Sequence, residues 1–170
     1  MGVEIGDIAP DFTLVDENGE KVTLSELRGR NAVLVFYPLD FSPVCTKELK
    51  DISTVADRYQ AYGAEVYGIS VDSRWCHAAF KRDEQISAHL LADFHPRGAV
   101  ARSYGVFIEE AGIANRGTFV IDAEGRIVEK VVTSPKEARD QEQYLAALAN
   151  CPVDLVGQRA ERPAGERISS

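Results

Sequence analysis

The sequence lacks the features that mark several specialised classes of protein. Its 170 residues contain no apolar run near the ~20 residues that span a bilayer, and no basic segment with a long apolar core marks a secretory signal at the N-terminus. Lysine and arginine number 19 against 27 acidic residues, for a net charge of −8, so a positive face for nucleic acid is not expected. These absences predict a cytoplasmic protein that binds neither membrane nor nucleic acid.

Cysteine is also scarce. The three cysteines, Cys45, Cys76 and Cys151, are too few and too scattered for a secreted disulfide scaffold, and they form no CxxC pair. They are expected to be free thiols. Without further context, each one is expected to be buried and to pack as a small apolar side chain. Neither a GxGxxG nor a GxxxxGK phosphate loop occurs, and Cys76 with the three histidines fits no usual zinc spacing. The sequence therefore implies no cofactor and no metal.

What is present is an alternation of strand and helix patterns. The stretches DFTLV and EKVTL flank DENG and predict an N-terminal β-hairpin. The unbroken apolar run from Ala32 to Tyr37 predicts a central strand that is buried on both faces. A helix of about five turns is expected from Cys45 to Tyr62, and a second helix from Arg74 to Ile86 is expected to place Trp75 and Phe80 in the core.

The remainder of the chain continues this alternation. Strands are predicted at AEVYGISV and HLLADF, a short helix over 97–104, a strand hairpin at GTFVID and RIVEKVV, and a last helix over 137–150. This order predicts an α/β fold in which a central mixed β-sheet is covered by helices on both faces. We expect one domain over residues 1–152 and a polar C-terminal tail over 153–170. Reactive groups in such sheets collect beyond the carboxyl ends of the strands, where Cys45 lies.

The stretch YPLDFSPVCTKEL places Cys45 at the predicted opening of a helix. With Ser42 as the N-cap, Pro43 takes the first helical position and Cys45 the third. Capping boxes usually place a carboxylate there, because it accepts a hydrogen bond from an unpaired backbone N–H and is attracted to the positive end of the helix dipole. A helix N-terminus or a nearby cation lowers cysteine pKa values from about 8.5 into a range of about 3.5 to 7.5. This context predicts a nucleophilic thiolate, beside the plainer interpretation of a neutral buried thiol.

Pro38, Ser42 and Cys45, spaced four and three residues apart after a buried strand, resemble the signature of the peroxiredoxins. The resemblance extends to Arg116 in ANRGTFVID, and the segments DFHPRGAVARSYGVF and EEAGIANRGTFVID are most similar to the alkyl hydroperoxide reductase E branch. It covers roughly residues 3 to 150. The resemblance implies a thioredoxin-like fold and an antioxidant oxidoreductase, a thiol-dependent peroxidase that reduces hydrogen peroxide and small organic hydroperoxides.

The resemblance also implies a role for each matched residue. Cys45 would attack a peroxide oxygen and become a sulfenic acid, Ser42 would hold the peroxide or the thiolate, and Pro38 would keep water from the sulfenate. Arg116 would keep the sulfur ionised and stabilise charge as the O–O bond breaks, while Glu48 would orient Arg116. The implied partners are a thioredoxin-like or low-molecular-weight thiol reductant and a second copy of the chain in a homodimer. Taken singly, Pro38 also suits a strand end, Ser42 a helix cap, Glu48 a solvated acid and Arg116 a surface cation.

Two alternatives stay open at this point. Cys76 is a candidate resolving cysteine because it opens a helix at the same sheet edge as Cys45, although one helix would have to unwind before a disulfide bond could close. In the alternative, Cys76 is a buried structural thiol and an external thiol reduces the sulfenic acid; the commoner resolving position, five residues after Cys45, is Lys50. The alternative function is a redox sensor or chaperone-like thiol protein. A disulfide oxidoreductase is disfavoured by the missing CxxC pair.

Overall fold

The computed structural model describes residues 2–153, which form an alternating series of strands and helices. The strands are β1 (Thr13–Val15), β2 (Lys21–Thr23), β3 (Asn31–Phe36), β4 (Ala64–Ser70), β5 (His89–Ala92), β6 (Phe107–Ile108), β7 (Ile113–Ala114), β8 (Arg116–Ile121) and β9 (Ile127–Thr133). The helices are α1 (Pro43–Thr54), α2 (Ala56–Ala61), α3 (Arg74–Glu84), α4 (Ala99–Ser103) and α5 (Gln141–Leu148), and a 3-10 helix covers Leu24–Leu27. The predicted tail over 153–170 lies outside the described residues except for Val153, and the domain boundary at residue 152 stays a prediction.

The core of the fold is a five-stranded mixed sheet with the strand order β5-β4-β3-β8-β9. β4 is parallel to β3 and β5, whereas β8 is antiparallel to β3 and β9. Every residue of β3 is buried, as expected of a central strand that is covered on both faces. Its residues alternate between two apolar clusters, with Leu34 and Phe36 in one and Val33 and Val35 in the other. α4 packs in the first cluster and α1, α3 and α5 in the second, which confirms the predicted α/β sheet with helices on both faces.

The sheet topology gathers distant parts of the chain at one edge. The antiparallel register pairs Phe36 with Gly117, so Arg116, at the start of β8, lies where the chain leaves β3 for α1. The parallel strand β4 ends at the same edge and leads into α3. The first turns of α1 and α3 and the start of β8 therefore meet there, although they are far apart in the sequence.

The single helix predicted from Cys45 to Tyr62 is wrong, since the structure has two helices in this segment. Val55, with φ −122° and ψ 30°, separates α1 from α2. The hydroxyl groups of Ser53 and Thr54 donate to carbonyl oxygens of the preceding turn, and such bonds compete with the helical backbone and bend it. The apolar residues keep their spacing across the break, so periodicity alone could not detect it.

The last helix is shorter than predicted. α5 begins at Gln141, after the N-cap Asp140, whose side chain accepts a hydrogen bond from the backbone N–H of Glu142. The preceding residues stay outside the helix because the backbone N–H of Arg139 donates to the carboxylate of Glu48 at 2.7 Å. The short strands β6 and β7 and the 3-10 helix were not predicted, since segments of two to four residues show no periodicity.

Trp75 does not lie in the core, contrary to the prediction. Its side chain is 70% exposed and lies under the guanidinium of Arg74, 4.3 Å from the ring centroid. Trp75 is about 200° around the helix from buried His77, because each helical residue advances by about 100°. Phe80, by contrast, is fully buried as predicted. Within residues 2–153, none of the helices has the length and apolar character needed to cross a bilayer.

The predicted N-terminal hairpin of β1 and β2 is confirmed, and Glu17 fastens it to the edge strand β5. The buried Glu17 carboxylate accepts a bond from the backbone N–H of Leu90 at 3.4 Å and lies 3.3 Å from His89 Nδ1 and from Lys81 Nζ. Burial alone would raise the pKa of Glu17, but the hydrogen bond from His89 and the charge of Lys81 lower it from 4.5 to about 2. The same hydrogen bond raises the pKa of His89 above 6.5, against the effect of its partial burial.

Glu17→Gln is expected to lower the free energy of unfolding by about 1.5–3 kcal/mol, the range for a hydrogen bond to a charged group. Since the pKa of Glu17 is lowered, its contribution is present above its ordinary value of 4.5 and is lost as the pH falls toward 2. Since the pKa of His89 is raised, its share is present below 6.5 and is lost as the pH rises through the raised value. Urea unfolding should therefore show the largest difference from wild type between about pH 5 and 6.5. An equal difference in strong acid would contradict this account.

Candidate active site

Cys45 lies in the first turn of α1, at the position that the sequence predicted. Ser42 is the N-cap residue with an extended backbone, Pro43 is the first helical residue and Cys45 the third. The Cys45 side chain has no exposed surface and packs in the same apolar cluster as Tyr37 and Leu49. The thiol is therefore enclosed at the helix N-terminus, where unpaired backbone N–H groups create a positive potential.

A tight turn over residues 38–42 leads into this helix and sets its position. Pro38 is buried at the start of the turn, and Phe41 has a φ of 66°, in the left-handed region that few residues other than glycine adopt. Ser42 caps α1 through its carbonyl oxygen, which accepts from the backbone N–H of Thr46 at 2.9 Å. Its hydroxyl group donates to the Leu39 carbonyl at 2.8 Å, so Oγ does not cap the helix.

Glu48 is a buried carboxylate one turn beyond Cys45. Its residue exposure is 8%, and its Oε1 accepts a hydrogen bond from Arg116 Nη1 at 2.8 Å. Burial alone would raise the pKa of Glu48, but hydrogen bonds and charge from Arg139, together with the charge of Arg116, hold it below its ordinary value. Glu48 is therefore an ionised group that links the first turns of α1 to the start of β8.

Arg139 is a second partner of Glu48 that the sequence reasoning missed. Its Nη2 donates to Oε1 at 2.8 Å, its Nε to Oε2 at 3.0 Å and its backbone N–H to Oε2 at 2.7 Å. Its Nη1 donates to the Phe36 carbonyl and to the Thr118 hydroxyl, and the side chain is wholly buried. A buried arginine in the polar segment KEARDQEQ adds nothing to apolar periodicity. The signal that could have found it is chemical, since a buried carboxylate needs donors for both oxygens.

The two arginines differ in the donors that they leave free. All three side-chain nitrogens of Arg139 donate to protein acceptors. Arg116 donates through Nε to the Pro135 carbonyl at 2.7 Å and through Nη1 to Glu48, and its Nη2 has no hydrogen-bond partner among residues 2–153. Arg139 therefore acts within the protein, whereas Arg116 has a donor available for a ligand in a fixed planar geometry.

Cys76 lies in the first turn of α3, near the same sheet edge. Its backbone N–H donates to the Ser73 hydroxyl at 3.2 Å, and its Sγ donates to Asp72 Oδ1 at 3.9 Å. Burial and the negative charges of Asp40 and Asp72 raise the pKa of Cys76 to about 12. Cys76 is therefore a neutral thiol and a poor nucleophile in the folded protein. It is a free cysteine, as are Cys45 and Cys151.

Comparison with known proteins assigns this arrangement to a family. Residues 5–130 match the sequence model of the AhpC/TSA family. The chain belongs to this family. Among its AhpC/TSA relatives, alkyl hydroperoxide reductase E of Mycobacterium bovis is 42% identical over 148 residues, which cover 86% of this chain and 97% of that protein. Peroxiredoxin-2 of Mus musculus is 37% identical over 152 residues, which cover 84% of this chain and 76% of that protein.

Solved structures give the same result. The crystal structure of peroxidoxin BcpB from Mycobacterium tuberculosis superposes with a TM-score of 0.77 at 31% identity and covers 94% of this chain and 99% of that one. The crystal structure of Enterococcus faecalis AhpC has a TM-score of 0.80 at 28% identity and covers 96% and 99%. The expectations of a peroxiredoxin with a thioredoxin-like fold, and of a thiol-dependent peroxidase, are confirmed by these AhpC/TSA relatives.

Glu48→Gln is expected to lower the free energy of unfolding by about 3–5 kcal/mol, because it leaves two buried guanidinium groups without their counter-ion. The change can be measured by urea unfolding followed by circular dichroism. Glu142→Gln is the matched control, since Glu142 also accepts two hydrogen bonds from one guanidinium group, that of Arg58, on the surface of this AhpC/TSA protein, where ion pairs contribute little. Equal losses in the two variants would contradict an organising role for Glu48.

Proposed function

We propose that the protein reduces hydrogen peroxide and small organic hydroperoxides with Cys45 as the peroxidatic cysteine. The observation that carries this proposal is the position of Cys45, enclosed in the first turn of α1 and one turn from the carboxylate that binds Arg116 and Arg139. Membership of the AhpC/TSA family supports the same chemistry. The proposal thus joins a reactive position to a preorganised set of charges.

In the proposed first step, the Cys45 thiolate attacks one oxygen of the peroxide. A sulfur–oxygen bond forms and the O–O bond breaks, and the leaving oxygen takes up a proton and departs as water or as an alcohol. Sulfur gives up two electrons and becomes a sulfenic acid. Two equivalents of a low-molecular-weight thiol, or one thioredoxin-like dithiol, then return Cys45 to the thiol with release of water and formation of a disulfide in the reductant.

Each neighbour of Cys45 has a proposed part in this step. Arg116 donates through its free Nη2 to the peroxide and to the leaving oxygen, where negative charge develops. Glu48 fixes the guanidinium plane of Arg116. The Ser42 hydroxyl, which is half-buried at the N-cap, turns from its carbonyl partner to the peroxide, and Pro38 keeps water from the oxidised sulfur. A group fixed before the reaction stabilises the transition state without reorganising.

Cys45→Ser should abolish peroxide reduction and leave the fold intact, because a serine hydroxyl does not ionise at neutral pH. Stopped-flow mixing of the reduced protein with hydrogen peroxide measures the effect. Cys151→Ser is the matched control, since Cys151 is half-buried just beyond α5, and it should keep the wild-type rate. Peroxide consumption by Cys45→Ser at the wild-type rate would refute the proposed function.

The proposed reductant is external, because Cys76 is a neutral thiol in the folded protein. Its pKa of about 12 leaves little thiolate to attack a sulfenic acid at Cys45. The role of Cys76 as a resolving cysteine stays a prediction, and it is supported by the shared sheet edge. That role would require the first turn of α1 or α3 to unwind and Cys76 to leave the carboxylates of Asp40 and Asp72.

Peptide mapping after one equivalent of hydrogen peroxide, without reductant, separates these two routes. For reduction by an external thiol, we expect sulfenic acid at Cys45, trapped by a dimedone reagent, together with a free Cys76. Cys76→Ser should then turn over at the wild-type rate with a thiol reductant. A disulfide bond between Cys45 and Cys76 in the mapped peptides would instead establish Cys76 as the resolving residue.

We also propose that the protein is a homodimer that associates through a group of exposed apolar side chains. Trp75 and Phe94 line one groove near the carboxyl ends of β4 and β5 and are 70% and 55% exposed. Leu39 and Phe41, in the 38–42 turn, are 39% and 49% exposed, and the ring of Phe41 contacts Phe80 of α3. Aromatic side chains of this kind are enriched in protein interfaces, and a second copy would cover them.

Trp75→Glu should convert the dimer to a monomer, because it places a charge in the apolar contact. Sedimentation equilibrium at micromolar concentration measures the mass of each variant. Val132→Glu is the control, since Val132 is 43% exposed on β9, at the far side of the sheet from β5. A wild-type protein that stays monomeric throughout the concentration range would refute the proposed dimer.

A redox sensor that uses the same cysteine is the alternative function, and it is not favoured because relatives of this chain are named reductases and peroxidases. Repeated turnover with a thiol reductant distinguishes the two, since a sensor reacts quickly but cycles poorly.

We propose a cytoplasmic location, which the three free cysteines support, because thiols persist in a reducing compartment. Fractionation of cells followed by immunodetection tests it.

A further inference from the structure

A buried acid–histidine pair lies beneath the turn that leads to Cys45. Asp40 Oδ2 is 2.7 Å from His77 Nδ1, and neither side chain has exposed surface. Asp40 belongs to the 38–42 turn, whereas His77 lies on α3. The pair therefore joins the segment before α1 to a helix that follows a different strand. The proposed peroxide chemistry gives it no part.

The hydrogen bonds around His77 determine how many protons the ring carries. Nδ1 faces the Asp40 carboxylate, and Nε2 faces the main-chain carbonyl of Leu91 at 3.0 Å. A carboxylate and a carbonyl only accept hydrogen bonds, so both ring nitrogens must donate. The Asp40 carboxylate also accepts from the Tyr37 hydroxyl at 2.5 Å. The two contacts of the ring thus require one proton more than a neutral imidazole beside a carboxylate holds.

α3 and the turn before it hold the 38–42 turn at three points. The first is the pair of Asp40 and His77. At the second, the backbone N–H of Asp40 donates to Asp72 Oδ2 at 2.8 Å. At the third, the ring of Phe41 packs on Phe80, with ring centroids 5.0 Å apart. The left-handed backbone of Phe41 is a conformation that persists only where surrounding contacts enforce it, and these contacts do so.

The other ionisable groups that face the pair do not balance the charge of Asp40. Asp72 is a second carboxylate, which accepts from the Ser70 hydroxyl as well as from the turn. Cys76 is a neutral thiol and the buried Tyr37 a neutral phenol, whose pKa burial and Asp40 raise. Lys81, the next cation along α3, is directed to Glu17 instead. Within residues 2–153, the imidazole of His77 is therefore the group placed to supply a positive charge beside the two carboxylates.

We propose that the pair of Asp40 and protonated His77 positions the peroxidatic cysteine. By fixing the 38–42 turn on α3, the pair holds the first turn of α1, and with it Cys45, in the arrangement that reacts with peroxide. Without the imidazolium, the buried carboxylate of Asp40 and the half-buried carboxylate of Asp72 would face each other as like charges, and the turn would lose one of its three contacts with α3. This inference rests on the proposed role of Cys45, and both residues act through the turn as positioning residues.

Two variants and a control separate the charge from the shape of the pair. His77→Phe keeps an aromatic ring but removes both donors. Asp40→Asn keeps the shape, and its amide N–H can donate to Nδ1 of a neutral His77 whose Nε2–H still donates to Leu91. His89→Phe is the matched control, because His89 also pairs with a carboxylate, that of Glu17, at the hairpin, away from the 38–42 turn.

Two measurements are expected to agree. Imidazole nitrogen NMR at neutral pH should show both ring nitrogens of His77 protonated in the wild type and only Nε2 protonated in Asp40→Asn. The second-order rate of Cys45 oxidation by hydrogen peroxide should fall by about tenfold or more in His77→Phe, the factor that corresponds to loss of one charged hydrogen bond from the reactive geometry. The single variant Asp40→Asn should react at a rate within a few-fold of the wild type, and His89→Phe should react at the wild-type rate.

An unprotonated Nδ1 on His77 in the wild type, or a wild-type rate in folded His77→Phe, would overturn the proposal. If His77→Phe does not fold, the wild-type NMR spectrum and the rate of Asp40→Asn decide the matter, since a rate in Asp40→Asn far below that of the wild type would also overturn it. Failure of the proposed function is a separate result, because it would appear as wild-type Cys45 that does not react with peroxide.

Discussion

The geometry of the site depends on one buried carboxylate, that of Glu48, and on the two guanidinium groups that surround it. Arg116 ties this carboxylate to the start of β8, and Arg139 ties it to the segment before α5 and to the carbonyl at the end of β3. A buried charge that loses its partners is strongly destabilising. These elements therefore cannot separate one at a time. The cluster specifies where α1 lies on the sheet, whatever it adds to the net stability of the fold.

Cys45 lies between two such anchors. Glu48 holds α1 on the side that follows the cysteine, and Asp40 with His77 holds the turn on the side that precedes it. Each anchor is a contact between polar side chains with almost no exposed surface, so its strength is little affected by salt. Apolar side chains enclose the thiol, whereas the polar contacts of the two anchors fix its position. The thiol is thus buried and held in place before any ligand arrives.

Most of the fold could be predicted from the sequence because burial leaves a periodic pattern. The apolar run in β3 and the turn residues of the first hairpin identify elements whose type follows from local chemistry, and Pro43 marks the start of α1 together with the position of Cys45. Val55 escapes detection because its neighbours keep helical spacing. The exposure of Trp75 could not be predicted because an exposed aromatic residue has the same helical spacing as a buried one.

The candidate site was predictable only in part. The resemblance of four spaced residues to the peroxiredoxins pointed to Cys45, Ser42, Pro38 and Arg116. Arg139 and the pair of Asp40 and His77 are polar residues whose partners are distant in the sequence. Their burial depends on tertiary contacts, such as the register of β3 with β8, which no local pattern encodes.

That register has a consequence for the order of folding during synthesis. A chain that emerges from its N-terminus contains Cys45 and Glu48 long before β8 and Arg139 exist. Until they arrive, β3 has an unpaired edge, and α1 carries a carboxylate that cannot be buried. Contacts between residues so distant in the sequence form late, because closing long loops costs entropy. The nascent chain therefore cannot enclose its thiol until nearly all of the domain has left the ribosome, and the same contact that builds the site also delays its assembly.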